Sequence, residues 1–363
     1  MSKRLKVLMA GPSPYANGGV ASVARNYLEQ CLADRCDLRY ITTMKEGNKF
    51  YKLFLALASY AEFSRVVQNY DLVHLHVSKG ASITRKRFLA KCAQRKGIPY
   101  IIHLHSGQFD QVFEAADESE KGILRDFFNE AAAVIALSEE WKEYLVPRLC
   151  PPEQVTVLHN AVQVPEGVSF EQNNTVLFLG RLDSNKSPDV LIRAAASVTS
   201  RFSNIKFLFA GDGDKSSYQA LARDLGVEEH CEFLGWVPDT ETLFKHSSIF
   251  CLPSRAEGMP MALLEAMAHG LVPVVSPVGG IPSLVENGTN GYLIPVGDSG
   301  VLAETLISLF SNPSLCARLG ASARRTIQNH FSMDAHLDKL ELLYRKVAIH
   351  PHFVTNQRED ASC

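Results

Sequence analysis

The sequence predicts an α/β protein of two doubly wound parallel sheets, closed by a C-terminal run of helices. Three observations carry this expectation. Short apolar runs rich in Val, Ile and Leu alternate with amphipathic segments of helix length; the alternation stops once, in a turn-rich stretch, and then restarts; and no strand-like run follows the last helices. A chain of 363 residues, 46% hydrophobic and 21% charged, is globular in composition and long enough for about two domains.

In the first half the strand candidates are KVLMA, LRYIT, LVHLH, PYIIHLH and AVIAL, each followed by a helical pattern, at 19–33, 50–68, 79–96, 117–130 and 138–146. Continuous apolar strands of this kind are buried on both faces, as parallel strands are under crossover helices. Near VTVLHNAVQVPEGVSFEQNNT the helical pattern stops, and Pro165, Gly167, Asn173 and Asn174 supply turn chemistry that marks a linker. The second series, TVLFLG, IKFLFAG, CEFLG, SIFCLP, LVPVVS and NGYLIP, is separated by helices near 187–200, 216–225, 239–246, 260–269 and 298–311. Residues 313–346 read as two or three helices broken near Phe331 and Ser332. The expected organisation is a Rossmann-like domain over 1–165, a second over 166–330, and a helix and tail over 331–363 packing back on the first. Ligands of such open sheets bind at the carboxyl ends of the strands, here on facing edges of a cleft.

The apolar stretches fall well short of the roughly 18 residues that cross a bilayer, and the short run after MSKRLKVLMAG leads into a turn rather than a cleavage site, so a cytoplasmic protein is expected. None of the eight cysteines has CxxC spacing, and they read as reduced, mostly buried thiols. Net charge is −2, yet residues 1–110 hold 17 Lys/Arg against 7 Asp/Glu, leaving −12 on the remainder. A basic first half suits an anionic acceptor or an anionic membrane surface, or is uneven surface charge without a role; duplex nucleic acid usually needs a more basic domain. Residues 43–66, with Lys45, Lys49 and Lys52 beside Phe50, Leu53, Phe54 and Leu57, suit contact with the inner face of a membrane, and suit a core-facing helix equally.

Four loops carry candidate chemistry. GPSPYANGGV lies between the first strand and helix; Gly18 and Gly19 permit close backbone approach to an anion at the helix N-terminus, or serve only as a turn. It is not GxGxxG, so it is no dinucleotide fingerprint. FLGRLDSNKSPDVLI places Arg181 past a strand end and Lys186 in the following loop, a fork and a point charge suited to a diphosphate, though alone the pair also reads as surface cations. In SRAEGMPMALLEAMAHG, Pro260 fits the first turn of a helix and Gly270 its stop. The helix's free amides can cradle phosphate, while Glu257 and Glu265 offer acceptors to hydroxyls; an acid before a helix also simply favours its dipole. SPVGGIPSLVENGTNGYLIPVGD brings Gly279 and Gly280 to a strand end as a second amide-rich corner or as turn formers.

Together, GRLDSNK, EGMPMALLE and SPVGGIPSLVENGTNGYLI resemble the retaining glycosyltransferases of family 4, which have the GT-B fold, and the resemblance covers nearly the whole chain. It implies that Arg181 and Lys186 hold the donor diphosphate, that Glu257 contacts the transferred sugar, and that Glu265 binds the ribose. The backbone of Gly258, Met259, Pro260 and Met261 would meet the phosphates, and the first loop matches at Gly18 and Gly19. Of the PNG-like element before the linker only Asn160 is kept, between His159 and Ala161.

The histidine pairs of VHLHVSKGASITRK and IIHLHSGQF are similar to those of members that build bacterial surface polysaccharides. The resemblance places His105 at the donor sugar, and makes Ser78, Lys79, Arg85, Lys86, His103 and Ser106 candidates for the acceptor. On strands, His74 and His76 share a face, as do His103 and His105, a spacing that also admits a metal. The family binds its donor without requiring a metal, so none is expected as cofactor. Asp239, after GWVP, falls where the family meets the base; an acid there would accept from guanine, and both GDP- and UDP-sugars fit the pattern. The activity implied is transfer from a nucleotide-diphosphate sugar to a saccharide or lipid-linked acceptor, as in capsule, O-antigen or extracellular polysaccharide synthesis. His105, Glu257, Arg181 and Lys186 would form its catalytic set. A GT-B epimerase and a non-catalytic nucleotide-sugar binding subunit are the rival readings.

Overall fold

The computed structural model describes residues 4–29, 32–167 and 173–349. They divide into two compact units: the described residues of Met1–Asn160 with those of Met333–Cys363, and those of Ala161–Ser332. Within the described residues, the first unit runs β1 (Lys6–Pro12), α1 (Gly19–Glu29), α2 (Leu32–Arg35), β2 (Asp37–Met44), α3 (Lys49–Val66), β3 (Leu72–Val77), α4 (Ala81–Arg95), β4 (Tyr100–Leu104), α5 (Phe109–Ala115), α6 (Glu118–Asn129), β5 (Ala133–Ala136), α7 (Glu139–Leu145) and β6 (Val155–Val157). The second runs β7 (Thr175–Leu179), α8 (Pro188–Thr199), β8 (Lys206–Ala210), α9 (Lys215–Asp224), β9 (Cys231–Gly235), α10 (Glu241–Lys245), β10 (Ile249–Leu252), α11 (Met261–Ala268), β11 (Val272–Val275), β12 (Tyr292–Leu293), α12 (Ser299–Ser311) and α13 (Pro313–His330). A last helix, α14 (Met333–Ile349), belongs to the first unit.

Each unit is built on a parallel sheet. The first has the order β2-β1-β3-β4-β5-β6 and the second β12-β11-β10-β7-β8-β9. In both, the winding direction reverses once, between β1 and β3 in the first and between β7 and β10 in the second. Helices leaving the two strands at such a point diverge to opposite faces, which opens a crevice at the strands' carboxyl ends. The interior strands β3, β4, β5, β10 and β11 are buried at every position, as strands covered on both faces must be.

Three elements differ from the sequence reading. Strand β6 falls inside the stretch read as a turn-rich linker; of the helix expected over 19–33, residues 30 and 31 lie outside the described residues. Helix α5 was not anticipated: it is seven residues long and its N-cap Gln108 makes no side-chain cap bond, so packing of Phe109 and Phe113 in the core holds it, not a local signal. Pro260 is the N-cap of α11 with extended backbone rather than its first helical residue. The break between α13 and α14 falls at Phe331 and Ser332 as read, and the expected linker over 155–175 lies partly outside the described residues.

Candidate active site

In the second unit the candidates gather at the β7/β10 reversal. After β7 the chain turns through Gly180–Ser187, and Asp183 organises that loop: its Oδ1 accepts from the backbone N–H of Asn185 at 3.1 Å and of Lys186 at 3.0 Å. Ser187 ends the loop in the left-handed region, φ 51°, a conformation an L-residue holds only when its surroundings fix it. The loop after β10 is tied to it, with Arg255 N–H donating to the Asn185 carbonyl at 2.8 Å and Asn185 Nδ2 to the Ala256 carbonyl at 3.0 Å. Lys186 Nζ then reaches both carboxylate oxygens of Glu257, at 2.6 and 2.8 Å, and Glu257 is buried. Arg181 is mostly exposed, 3.8 Å from Asp183.

Glycines let neighbouring loops press on this pair. A Cβ on Gly279 would lie 1.9 Å from the Glu257 carbonyl oxygen, and Gly280 N–H donates to the Gly258 carbonyl at 2.6 Å. The corner of Gly279 and Gly280 therefore supports the 257–258 turn through its backbone. Gly211 and Gly213 do the same for the 180–182 segment: Cβ atoms there would lie 1.9 Å from the Gly180 oxygen and 2.3 Å from the Leu182 oxygen. Sequence reading passed over these two, although their AGDGD setting at a strand end is the signal that marks them. Gly258, Met259, Pro260 and Met261 are buried, and α11 has neither a side-chain cap nor an acid in its first turn, so its N-terminus is electropositive. Glu265 is part-buried on α11, and Asp239 is exposed, accepting from Glu241 N–H at the start of α10. Ser254 and Ser276, after β10 and β11, are fully buried with hydroxyls that find no partner among the described residues, and no sequence signal marks them.

In the first unit a cavity of about 160 Å³ opens at the β1/β3 reversal. Gly18, Gly19, Ser78, Arg85 and Lys86 line it, together with Thr43, Ser82 and His76. Lys79 is exposed and donates to Gln108 Oε1, and Ser106 accepts from Gln108 N–H, so both serve the loop after β4 rather than the cavity. His103 is placed in the core, with no exposed surface. Its register partner on β3 is His76, and the four histidines of β3 and β4 form one cluster. His74 Nε2 is 3.2 Å from His103 Nδ1, and His76 Nδ1 is 2.9 Å from His105 Nε2. Tyr344 of α14 closes the cluster on His74 Nδ1 at 2.7 Å.

Burial pushes His74 and His105 down to about 3, and His76 and His103 well below the ordinary histidine range, so the cluster is neutral near pH 7. Nearby, His336 Nδ1 faces the His159 carbonyl at 2.8 Å and so carries the proton, leaving Nε2 to accept from Tyr27 Oη at 2.7 Å. Ring nitrogens of His74, His76 and His103 all lie within 4.8 Å of one another, but His74 spends both of its nitrogens and His103 and His76 one each on the bonds just described. The arrangement is a hydrogen-bonded aromatic core beneath the strand ends, which presents His105, part-buried at the end of β4, toward the surface.

Residues 18–161 match the family described as glycosyl transferase 4-like domain, and residues 162–326 the family described as glycosyl transferases group 1. The chain is similar to the UDP-Gal:alpha-D-GlcNAc-diphosphoundecaprenol alpha-1,3-galactosyltransferase of Escherichia coli, with 28% identity over 304 residues that cover 76% of each chain. It is also similar to an amylovoran biosynthesis glycosyltransferase of Erwinia amylovora, with 28% identity over 64% of this chain and 63% of that one. Among solved structures it resembles Anabaena HepE, crystallised with UDP, at a TM-score of 0.74 and 18% identity over 94% of this chain and 100% of that one. At that identity the likeness speaks for the fold alone.

Proposed function

Because the chain belongs to the glycosyltransferases of GT-B fold that join a 4-like domain to a group 1 domain, we propose that it is a retaining enzyme of family 4. Its donor is a nucleotide-diphosphate sugar, and its acceptor a saccharide or lipid-linked saccharide of surface-polysaccharide synthesis. The observation that carries the reading is the pair of Lys186 and Glu257, clamped between two loops at the β7/β10 reversal and backed by the Gly279–Gly280 corner. Relatives support the class of substrate by name: one acts on a diphosphoundecaprenol-linked sugar, another serves amylovoran synthesis.

The chemistry follows from what each group can do. Breaking the sugar–phosphate bond leaves negative charge on the diphosphate and positive charge on the ring. Lys186 and the uncapped amides at the start of α11 are held donors for the first, which lowers the barrier because they need little reorganisation, and the exposed Arg181 adds positive charge. This positive potential comes from the chain itself, so the reading needs no metal. Glu257, paired with Lys186, is placed to accept from sugar hydroxyls, with Glu265 further along α11 for the ribose and Asp239 toward the base. Glu257 is held at both oxygens by one ammonium and is poorly disposed to form a covalent sugar intermediate. Front-face attack, in which the departing phosphate oxygen takes the acceptor's proton, then retains the configuration.

Proton NMR of the first-formed transfer product tests the stereochemistry. An α-linked product from an α-configured donor is expected, and a β-linked one would remove the enzyme from the retaining class.

Helix α3 supports a second part of the reading, contact with an anionic membrane. Phe50, Leu53, Phe54 and Leu57 are 85%, 61%, 68% and 63% exposed, beside Lys45, Lys49 and Lys52. A core-facing helix would have buried them, and α3 buries only Ser59 and Phe63.

A further inference from the structure

The cavity at the β1/β3 reversal is built for an anion. No carboxylate lines it, while Arg85 and Lys86 do, and neither cation is in an ion pair among the described residues. Lys86 is 1% exposed, and its Nζ donates to the Thr43 hydroxyl at 2.5 Å. A buried cation without a counter-charge is costly, and burial beside Arg85 pushes the ammonium down to about 7. Arg85 Nε and His76 Nε2 are buried without a hydrogen-bond partner among the described residues. Two helices begin at the cavity, α1 at Gly19 and α4 just after Gly80, and neither has an acid in its first turn. The hydroxyls of Ser78 and Ser82 add donors from another side, while that of Thr43 is spent on the Gly11 carbonyl. At about 160 Å³ the space is several times what one water needs.

We propose that this cavity seats a phosphoryl group of the acceptor, so that the enzyme takes a phosphate-bearing saccharide rather than a neutral one. The proposal rests on the glycosyl-transfer reading and gives it an acceptor class. A tetrahedral, multiply charged oxyanion uses donors from several directions at once, which a planar carboxylate does not, and Arg85 supplies the fork it favours. The second unit holds its own cations, Arg181 and Lys186, for the donor's diphosphate, which leaves Arg85 and Lys86 to a different anion. Binding relieves Lys86 of its uncompensated charge and fixes the end of the acceptor away from the reacting hydroxyl.

The test begins with inorganic pyrophosphate, titrated by calorimetry into full-length protein carrying Arg181→Ala and Lys186→Ala, so that the donor's diphosphate site is silent. Binding that weakens about tenfold or more on adding Arg85→Gln is expected, the loss of one charge-assisted bond. Unchanged binding, or none before Arg85→Gln is added, overturns the proposal. Lys86→Met should weaken binding further, and because removing a buried lysine can disturb folding, the half-buried Arg85 gives the deciding variant.

In transfer assays on an otherwise unaltered chain, Arg85→Gln should raise KM about tenfold for a phosphorylated acceptor and leave KM for the donor unchanged. A rise in donor KM instead assigns the cavity to the donor and overturns the proposal. A sugar 1-phosphate and a prenyl-diphosphate sugar, run side by side, tell whether the phosphoryl group comes from a soluble or a lipid-linked acceptor. Nucleotide-sugar binding without Arg85-dependent anion binding contradicts this proposal alone. Arg85-dependent anion binding with no nucleotide-sugar binding contradicts the transfer reading instead.

Discussion

At the scale of single residues, the candidate donor loops are held by backbone contacts that only glycine allows. Gly279 and Gly288 separate this from ordinary turn formation, since both have positive φ, 56° and 76°, but a Cβ on Gly288 meets nothing within 4 Å while one on Gly279 strikes the Glu257 carbonyl. Gly288→Ala should therefore cost only the backbone strain, about 1–2 kcal/mol, and leave nucleotide binding intact. Gly279→Ala must in addition displace the 257–258 turn. A larger drop in Tm with weakened nucleotide binding is expected, read by thermal melts with and without ligand, and equal behaviour of the two variants would remove the supporting role of the corner. Much at this scale was legible: Arg181, Lys186 and Glu257 stand out by charge type in glycine-flanked loops. The contact between Lys186 and Glu257 was not, because a separation of 71 positions hides a pairing made only when β10 lies beside β7. The orphaned hydroxyls of Ser254 and Ser276 carry no sequence signal at all, since a serine after a strand is ordinary.

At the scale of elements, the strands are legible because most are short, largely apolar runs, and β3, β4, β5, β10 and β11 are buried throughout. Periodicity was weaker for helices, and α3 shows why. Its apolar residues satisfy a core-facing pattern and a membrane-facing one alike, and only the three-dimensional packing decides. With four large apolar side chains turned outward among lysines, full-length protein should float with vesicles containing anionic lipid. Replacing Phe54 and Leu57 by Ser should release it to the bottom fraction without altering Tm, because neither residue is in the core. Equal flotation of the variant, or none by the parent on anionic vesicles, would contradict a docking role for α3. Helix α5 escaped notice for the opposite reason: its stability lies in the burial of Phe109 and Phe113, which a seven-residue window does not reveal.

At the scale of the whole molecule, two sheets of different winding order each place candidate groups at the strand-end reversal: a cation–carboxylate pair in the second unit and an uncompensated cationic cavity in the first. The charge division visible in the sequence, +10 over residues 1–110 and −12 after them, has a local counterpart in that cavity. The return of α14 to the first unit was also expected, and Tyr344 and His336 show what it brings there, hydrogen bonds to His74 and Tyr27. On the proposed reading, the second unit holds a nucleotide-sugar donor through Arg181 and Lys186. A thermal-shift series with UDP-, GDP-, ADP- and TDP-sugars, on the wild type and on Arg181→Ala/Lys186→Ala, tests it most directly, since a ligand raises Tm only as far as it prefers the folded state. A rise of several degrees is expected for one nucleotide class, lost in the double variant. No rise with any nucleotide sugar at millimolar concentration, or one that persists in the double variant, would contradict it.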